Sequence, residues 1–317
     1  MGGTAEPPFV IPDTMMASYF GEAVQWECDE LGHLNMRHYM TKVQQARQFF
    51  FINLGLPHAF ETSADSTIRT QQFTVRYLKE SRPGARLKIC TGITAIHDNS
   101  LELLHIMTHF DGTISAVILE TVQHLYLRTG GVFNWPQRVK DAAKAFMTKA
   151  PAAAMTRGLP NAPAKAPTAS MLKSGGATLI GAGVFQPAEV DQFHSVMPQS
   201  LLGRITESVG NFKALWPEVH ESRASGDSTS AVLLETKGYI HNWATIGKAC
   251  EIYSAPITAN AYTRLAAHHI VDPISGQSWA SFFASGCLFD LISRKLVKTP
   301  KARIDALNAI ALPDLSA

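Results

Sequence analysis

The chain has 317 residues, enough for two domains at roughly 150 residues each. A hydrophobic content of 46% with only 17% charged residues excludes a mainly disordered polypeptide. The formal net charge of +2, from 28 Lys and Arg against 26 Asp and Glu, argues against a dedicated nucleic-acid binder.

Cys28, Cys90, Cys250 and Cys287 show no C-x-x-C spacing. This excludes a disulfide framework or a zinc ribbon and points to the reduced cytoplasm. No apolar run approaches the ~18 residues of a membrane span. The N-terminal run MGGTAEPPFVIPD lacks the features of a secretory signal, and Glu6 breaks the myristoylation pattern.

In chain order, the first predicted element is a strand over residues 19–27, followed by a helix over 34–54. Tyr39, Val43, Ala46 and Phe50 mark the buried stripe of that helix, and Gly55-Leu56-Pro57 stops it. Phe49, Phe50 and Phe51 point almost all round, which predicts a helix buried on most sides. Strands follow at 67–79, 86–97, 101–110 and 113–127, with turns at Asp98-Asn99-Ser100 and Asp111-Gly112. Val139, Ala143 and Phe146 predict a short closing helix. Residues 151–170 are then Ala and Pro at 11 of 20 positions, the composition of an extended, semi-rigid linker.

The plan then repeats. Val184-Phe185 leads to Glu189-Val190-Asp191, then to a helix with Ile205, Val209 and Phe212 on one face, ended by Pro217. Strands are predicted at 231–241, 248–258, 261–271 and 278–291. The Glu-x-Asp pairs of the two halves stand 162 residues apart. Each half is thus α+β, one long helix against an antiparallel sheet curved enough to wrap it.

Chemistry concentrates in residues 24–39, Val-Gln-Trp-Glu-Cys-Asp-Glu-Leu-Gly-His-Leu-Asn-Met-Arg-His-Tyr. Strand alternation places Val24, Trp26 and Cys28 on the core face and Gln25, Glu27 and Asp29 on the other. Asp29 falls where the strand ends, and Gly32 permits a tight bend before the helix. A carboxylate beside a helix N-terminus suits acyl chemistry. The free N–H groups hold an oxyanion while the carboxylate attacks or activates water. Ordinary helix capping by Asp or Asn is the competing explanation.

The run resembles the hotdog-fold acyl-CoA thioesterases, particularly the 4-hydroxybenzoyl-CoA thioesterase group. Glu27, Asp29, Gly32, His33, Asn35, Tyr39, Ala46-Arg47 and Gly55-Leu56-Pro57 match that family's pattern in order, with Glu27 where Asp is commoner. The resemblance implies two tandem hotdog domains, at 15–148 and 177–317, joined by a linker at 149–176. It also implies that the two pair internally, with sites at their interface. It further implies Asp29 as nucleophile or general base, the N–H near Met36 as oxyanion donor, and His33 and Asn35 beside the thioester. Glu27, two residues before Asp29, is a secondary candidate. The implied reaction is hydrolysis of an acyl-CoA without a cofactor or metal. The internal pseudo-dimer stands alone or builds a larger homo-oligomer.

The second copy reads Glu189-Val190-Asp191-Gln192-Phe193-His194-Ser195-Val196-Met197-Pro198. Aligned without a gap, Pro198 stands opposite Met36 and removes an N–H; with a one-residue gap it stands opposite Arg37. Asp191 and His194 are its candidates, in a copy expected to have lost its chemistry and to form a wall of the first site.

Other features carry less. His105, His109 and His268-His269 lack a third metal ligand at suitable spacing. Arg76, Lys79, Arg82, Arg86 and Lys88 form a loose basic region able to meet a CoA phosphate, or an ordinary solvated edge. Trp243 and Trp279 read as core. Two alternatives accompany hydrolysis. A hotdog hydratase would need His five residues after its Asp, whereas His33 follows Asp29 by four. A non-catalytic acyl-CoA-binding protein would share the fold.

Overall fold

The structure, a computed structural model, describes residues 10–160 and 165–316. The N-terminal signal and myristoylation readings rest mostly on residues 1–9, outside the described residues. The chain forms two compact units, Met1–Arg69 with Leu78–Ala154 and Thr70–Tyr77 with Met155–Ala317.

In the first unit, β1 (Met16–Glu22) and helix α1 (Met36–Asn53) are followed by the start of β2 (Ser66–Tyr77), whose residues from Thr70 on belong to the second unit, and by β3 (Arg86–Ile96), β4 (Ser100–His109) and β5 (Ile114–Tyr126). The antiparallel order is β1-β3-β4-β5. Both expected turns form. The His97 N–H donates to the Ser100 carbonyl at 3.0 Å, and the Asp111 carboxylate accepts the Thr113 N–H at 2.9 Å.

Helix α1 lays Tyr39, Met40, Val43, Ala46, Phe50 and Phe51 on the sheet. The sequence predicts burial on most sides, and one stripe stays open. Phe49 is 50% exposed, because one stripe of the helix, running on to Ile52, faces away from the core. Phe51 stacks on Trp135 at 5.5 Å, and Phe50 meets Phe146 edge-on at 5.1 Å. The closing helix is α2 (Gln137–Ala143), which buries Val139 and Ala143 in the same cluster as Ile93, Leu103 and Val122. Truncating a ring such as Phe50 to Ala in such a core costs about 3–5 kcal/mol.

A line of buried polar side chains also crosses this unit. Arg47 pairs with Glu120, and His105 Nε2 lies 3.3 Å from the same carboxylate. His105 Nδ1 lies 2.8 Å from Thr91 Oγ1, itself 2.7 Å from Ser18 Oγ.

The second unit holds α3 (Ala169–Ser174), β6 (Thr178–Val184), α4 (Pro198–Ser208), α5 (Pro217–Ser225), β7 (Thr229–Ile240), β8 (Ala249–Ala259), β9 (Arg264–Val271), β10 (Ser278–Asp290), β11 (Lys295–Leu296) and α6 (Lys301–Ala309). Gln72–Arg76 of β2 pair with β7, and the order continues β7-β10-β9-β8-β6. Tyr239, Ala255, Leu265 and Phe283 share one apolar cluster. The second long helix is shorter than expected. It breaks after Ser208 into a single tight turn at Val209–Asn211, and a separate helix starts at Pro217.

The Ala/Pro-rich segment is not simply extended. It turns at Ala152–Ala154, and Ala169–Ser174 is helical. The buried Glu235 carboxylate accepts the N–H groups of Arg157 and Gly158 at 3.0 Å and pairs with Arg76 at 3.1 Å. All four cysteines are free thiols. Among the described residues, no helix is long and apolar enough to cross a membrane.

Candidate functional site

Strand β1 ends at Glu22, short of the expected 27, and Gln25–Glu27 form a tight turn instead. Alternation therefore stops before Trp26, which is 82% exposed rather than in the core. From Glu27 to Asn35 the chain folds back on itself. Cys28 bridges Leu34, the Asp29 N–H donates to the His33 carbonyl at 2.9 Å, and the Asn35 N–H donates to the Glu27 carbonyl at 2.9 Å. Gly32 sits at the tip with φ +74°, where a Cβ would be strained.

This loop fixes Asp29. Its Oδ1 accepts the N–H groups of Leu31 at 3.0 Å and His33 at 3.4 Å. Among the described residues no group donates to Oδ2. Burial pushes the carboxyl above the ordinary aspartate range, and the two N–H donors pull it back. Asp29 therefore caps its own turn and not the helix. Asn35 is the helix cap, its Oδ1 accepting the Arg37 N–H at 3.1 Å. Met36 opens the first turn, and its N–H has no acceptor among the described residues. The Cys28 thiol is raised by burial and by Asp29 and Glu27, which disfavours the thiolate.

The buried His33 places Nε2 at 3.2 Å from the Glu80 carboxylate. Glu27 is occupied elsewhere. Its Oε2 lies 2.7 Å from the ammonium of Lys42, which is 2% exposed and also donates to the Glu22 carbonyl at 2.9 Å. Glu27 and Lys42 thus clamp the loop to α1. Glu80 and Lys42 escaped the sequence reading. A lysine on the apolar stripe of α1 was a visible sign of a buried ion pair; nothing local marks Glu80.

The second unit repeats the loop without a gap. Val190 bridges Val196, and Asp191 Oδ1 accepts the N–H groups of Phe193 at 2.9 Å and Ser195 at 3.0 Å. Glu189 pairs with Arg204, Nε to Oε1 at 2.7 Å, the same fifteen residues on as Lys42 is from Glu27. His194 therefore stands where Gly32 stands, at φ +60°, and not where His33 stands; Ser195 takes that place. Pro198 opens α4 as Met36 opens α1, with no N–H to offer.

Residues 23–143 match the thioesterase-like superfamily. No curated protein matches the chain in sequence. Among solved structures, an oleoyl thioesterase (putative) from Lactobacillus plantarum is similar at TM-score 0.66 and 11% identity, covering 86% of this chain and 95% of its own. An acyl-ACP thioesterase from Bacteroides thetaiotaomicron is similar at TM-score 0.64 and 9% identity, over 86% and 98%. A 12:0-ACP thioesterase from Umbellularia californica is similar at TM-score 0.65 and 11% identity, over 87% and 94%.

Proposed function

We propose that the chain, whose residues 23–143 match the thioesterase-like superfamily and which has the double-hotdog fold, is a thioesterase that hydrolyses acyl-CoA at the Asp29 loop. The observation that carries the reading is a half-buried carboxylate with one oxygen tied to the backbone and the other without a donor among the described residues, in the loop that leads into a helix N–H with no acceptor among them.

In this reading Asp29 takes a proton from water as the water oxygen adds to the thioester carbonyl, or attacks that carbon itself. The Met36 N–H holds the oxyanion that forms. The C–S bond then breaks and the thiolate takes up a proton; where Asp29 itself has attacked, a water then hydrolyses the acyl-aspartyl anhydride, and in either case free acid and CoA leave. His33, steadied by Glu80, stands beside this chemistry in the same loop. The raised carboxyl of Asp29 suits a base that must hold a proton briefly.

The test is thiol release across short, long, branched and aromatic acyl-CoAs. Asp29→Asn should lower turnover on the best substrate by about 10³-fold or more with the fold intact. Undiminished turnover in that variant removes the proposal. Two of the similar solved structures are described as acting on acyl-ACP, which favours a second reading with a carrier-protein thioester. Acyl-ACPs in the same panel separate the two.

A further inference from the structure

Tyr39 is buried on α1, ten residues after Asp29. Its hydroxyl hydrogen-bonds with Ser115 and Ser81. The two serine hydroxyls lie 2.8 Å apart, and Ser81 Oγ lies 2.9 Å from His109 Nε2. Ser115 Oγ donates to the Lys79 carbonyl at 3.0 Å, and the Ser115 carbonyl accepts the Lys79 N–H at 3.0 Å. Side chains from α1, β4, β5 and the loop after β2 thus close around the backbone of residues 79–81. That short segment carries Glu80, whose carboxylate meets His33, and the Ser81 carbonyl, which accepts the Leu34 N–H at 2.8 Å.

Mutual satisfaction of buried hydroxyls could be a matter of folding alone. The second unit is an internal control. Its Val196 N–H donates to the Ala244 carbonyl as Leu34 donates to Ser81, and the N–H groups of His241 and Asn242 meet the Trp279 carbonyl as those of Leu78 and Lys79 meet Ser115. The counterparts of Tyr39, Ser81 and Ser115 are therefore Leu201, Ala244 and Trp279, all buried. The fold is kept without a single one of these three hydroxyls. In the same unit Trp243 replaces Glu80, Ser195 replaces His33 and Pro198 replaces Met36. The scaffold pairs, Glu27–Lys42 and Glu189–Arg204, persist in both. The hydroxyls are absent together with the groups they support, and not with the fold.

We infer that Tyr39, Ser81, Ser115 and His109 are positioning residues that hold Glu80, and through it His33, for thioester chemistry at Asp29. The inference rests on the thioesterase reading. Its action is geometric: the hydroxyl of Tyr39 ties the 79–81 backbone to the helix that begins at Met36, so the His33–Glu80 contact and the helix N-terminus keep one register.

The experiment is steady-state hydrolysis of the best acyl-CoA of the panel by Tyr39→Phe, Glu80→Gln and the double variant. Tyr39→Phe keeps the buried ring and removes only the hydroxyl. It should lower kcat about tenfold with KM within about twofold, and in the Glu80→Gln background it should add less than about twofold. Wild-type kcat in Tyr39→Phe, or losses that multiply in the double variant, overturns the inference. Should Tyr39→Phe fail to fold, Ser81→Ala gives the same reading, since the second unit already carries Ala244 there. Asp29→Asn measured alongside distinguishes the failures. Full activity in Asp29→Asn removes the Asp29 loop as the site of hydrolysis, and no hydrolysis by the wild type removes the thioesterase reading, whereas loss in Asp29→Asn with a silent Tyr39→Phe removes the network alone.

Discussion

The loops around Asp29 and Asp191 share their backbone and diverge in what they present. Both tie an Asp Oδ1 to two N–H groups, and both clamp a Glu to a cation fifteen residues on. Only the first combines a glycine at the tip, a histidine held by a carboxylate, and a helix that opens on a residue with an N–H. The acid and its clamp therefore suffice to build the turn. The two loops differ in residues that the turn and its clamp do not require.

Importing the second loop's residues into the first tests this directly. Met36→Pro copies Pro198 and should be tolerated by the fold, because proline suits the first helical position. It should nevertheless lower kcat by about 10²-fold through loss of one oxyanion donor. Full activity would show that the helix N–H is not used.

The shared clamp predicts parallel effects in the two units. Lys42→Ala leaves Glu27 partly buried without its partner and should cost about 3 kcal/mol in denaturant unfolding. Arg204→Ala should cost somewhat less, about 2 kcal/mol, since both partners there reach solvent and screening weakens the pair. An effect in one unit alone would break the equivalence.

Acid should weaken both units, the first through His124, which burial holds at about 4, and the second through His268 and His269. Burial holds His268 down at about 4 and His269 at about 3, both below the ordinary histidine value of 6.5. The unfolded chain binds these protons first, so stability is full above about pH 6.5 and falls as pH drops from there towards 3. Thermal unfolding across that range should show the slope, and His268→Gln with His269→Gln should flatten it.

The smallest effect concerns the tip of the second loop. His194 occupies a left-handed conformation at φ +60°. His194→Gly should raise stability by up to about 1 kcal/mol, measured by the same unfolding.

Much of this was legible in the residues. The repeat, the two helix starts and the turns at 98–100 and 111–112 follow from spacing and turn chemistry. Trp26 misled because its position assumed that the strand ran unbroken to Glu27, whereas the turn begins at Gln25. The alignment of Pro198 stayed open because a histidine follows Asp in both copies. Only the backbone, with His194 in a glycine's conformation, assigns the register. Glu80 and Ser81 reach Asp29's neighbourhood through the pairing of Leu34 with Ser81, a contact between segments far apart in the chain that no periodicity announces.

The division of β2 has a practical consequence. Thr70–Tyr77 belong to the second unit, where Gln72–Arg76 hydrogen-bond with β7 and Arg76 meets Glu235. Severing the chain in its Ala/Pro-rich stretch would not yield two autonomous pieces. The downstream fragment would lack a strand and leave Glu235 without its guanidinium partner. Split versions of this protein are therefore expected to regain structure by complementation, when both fragments are present together, and not one at a time.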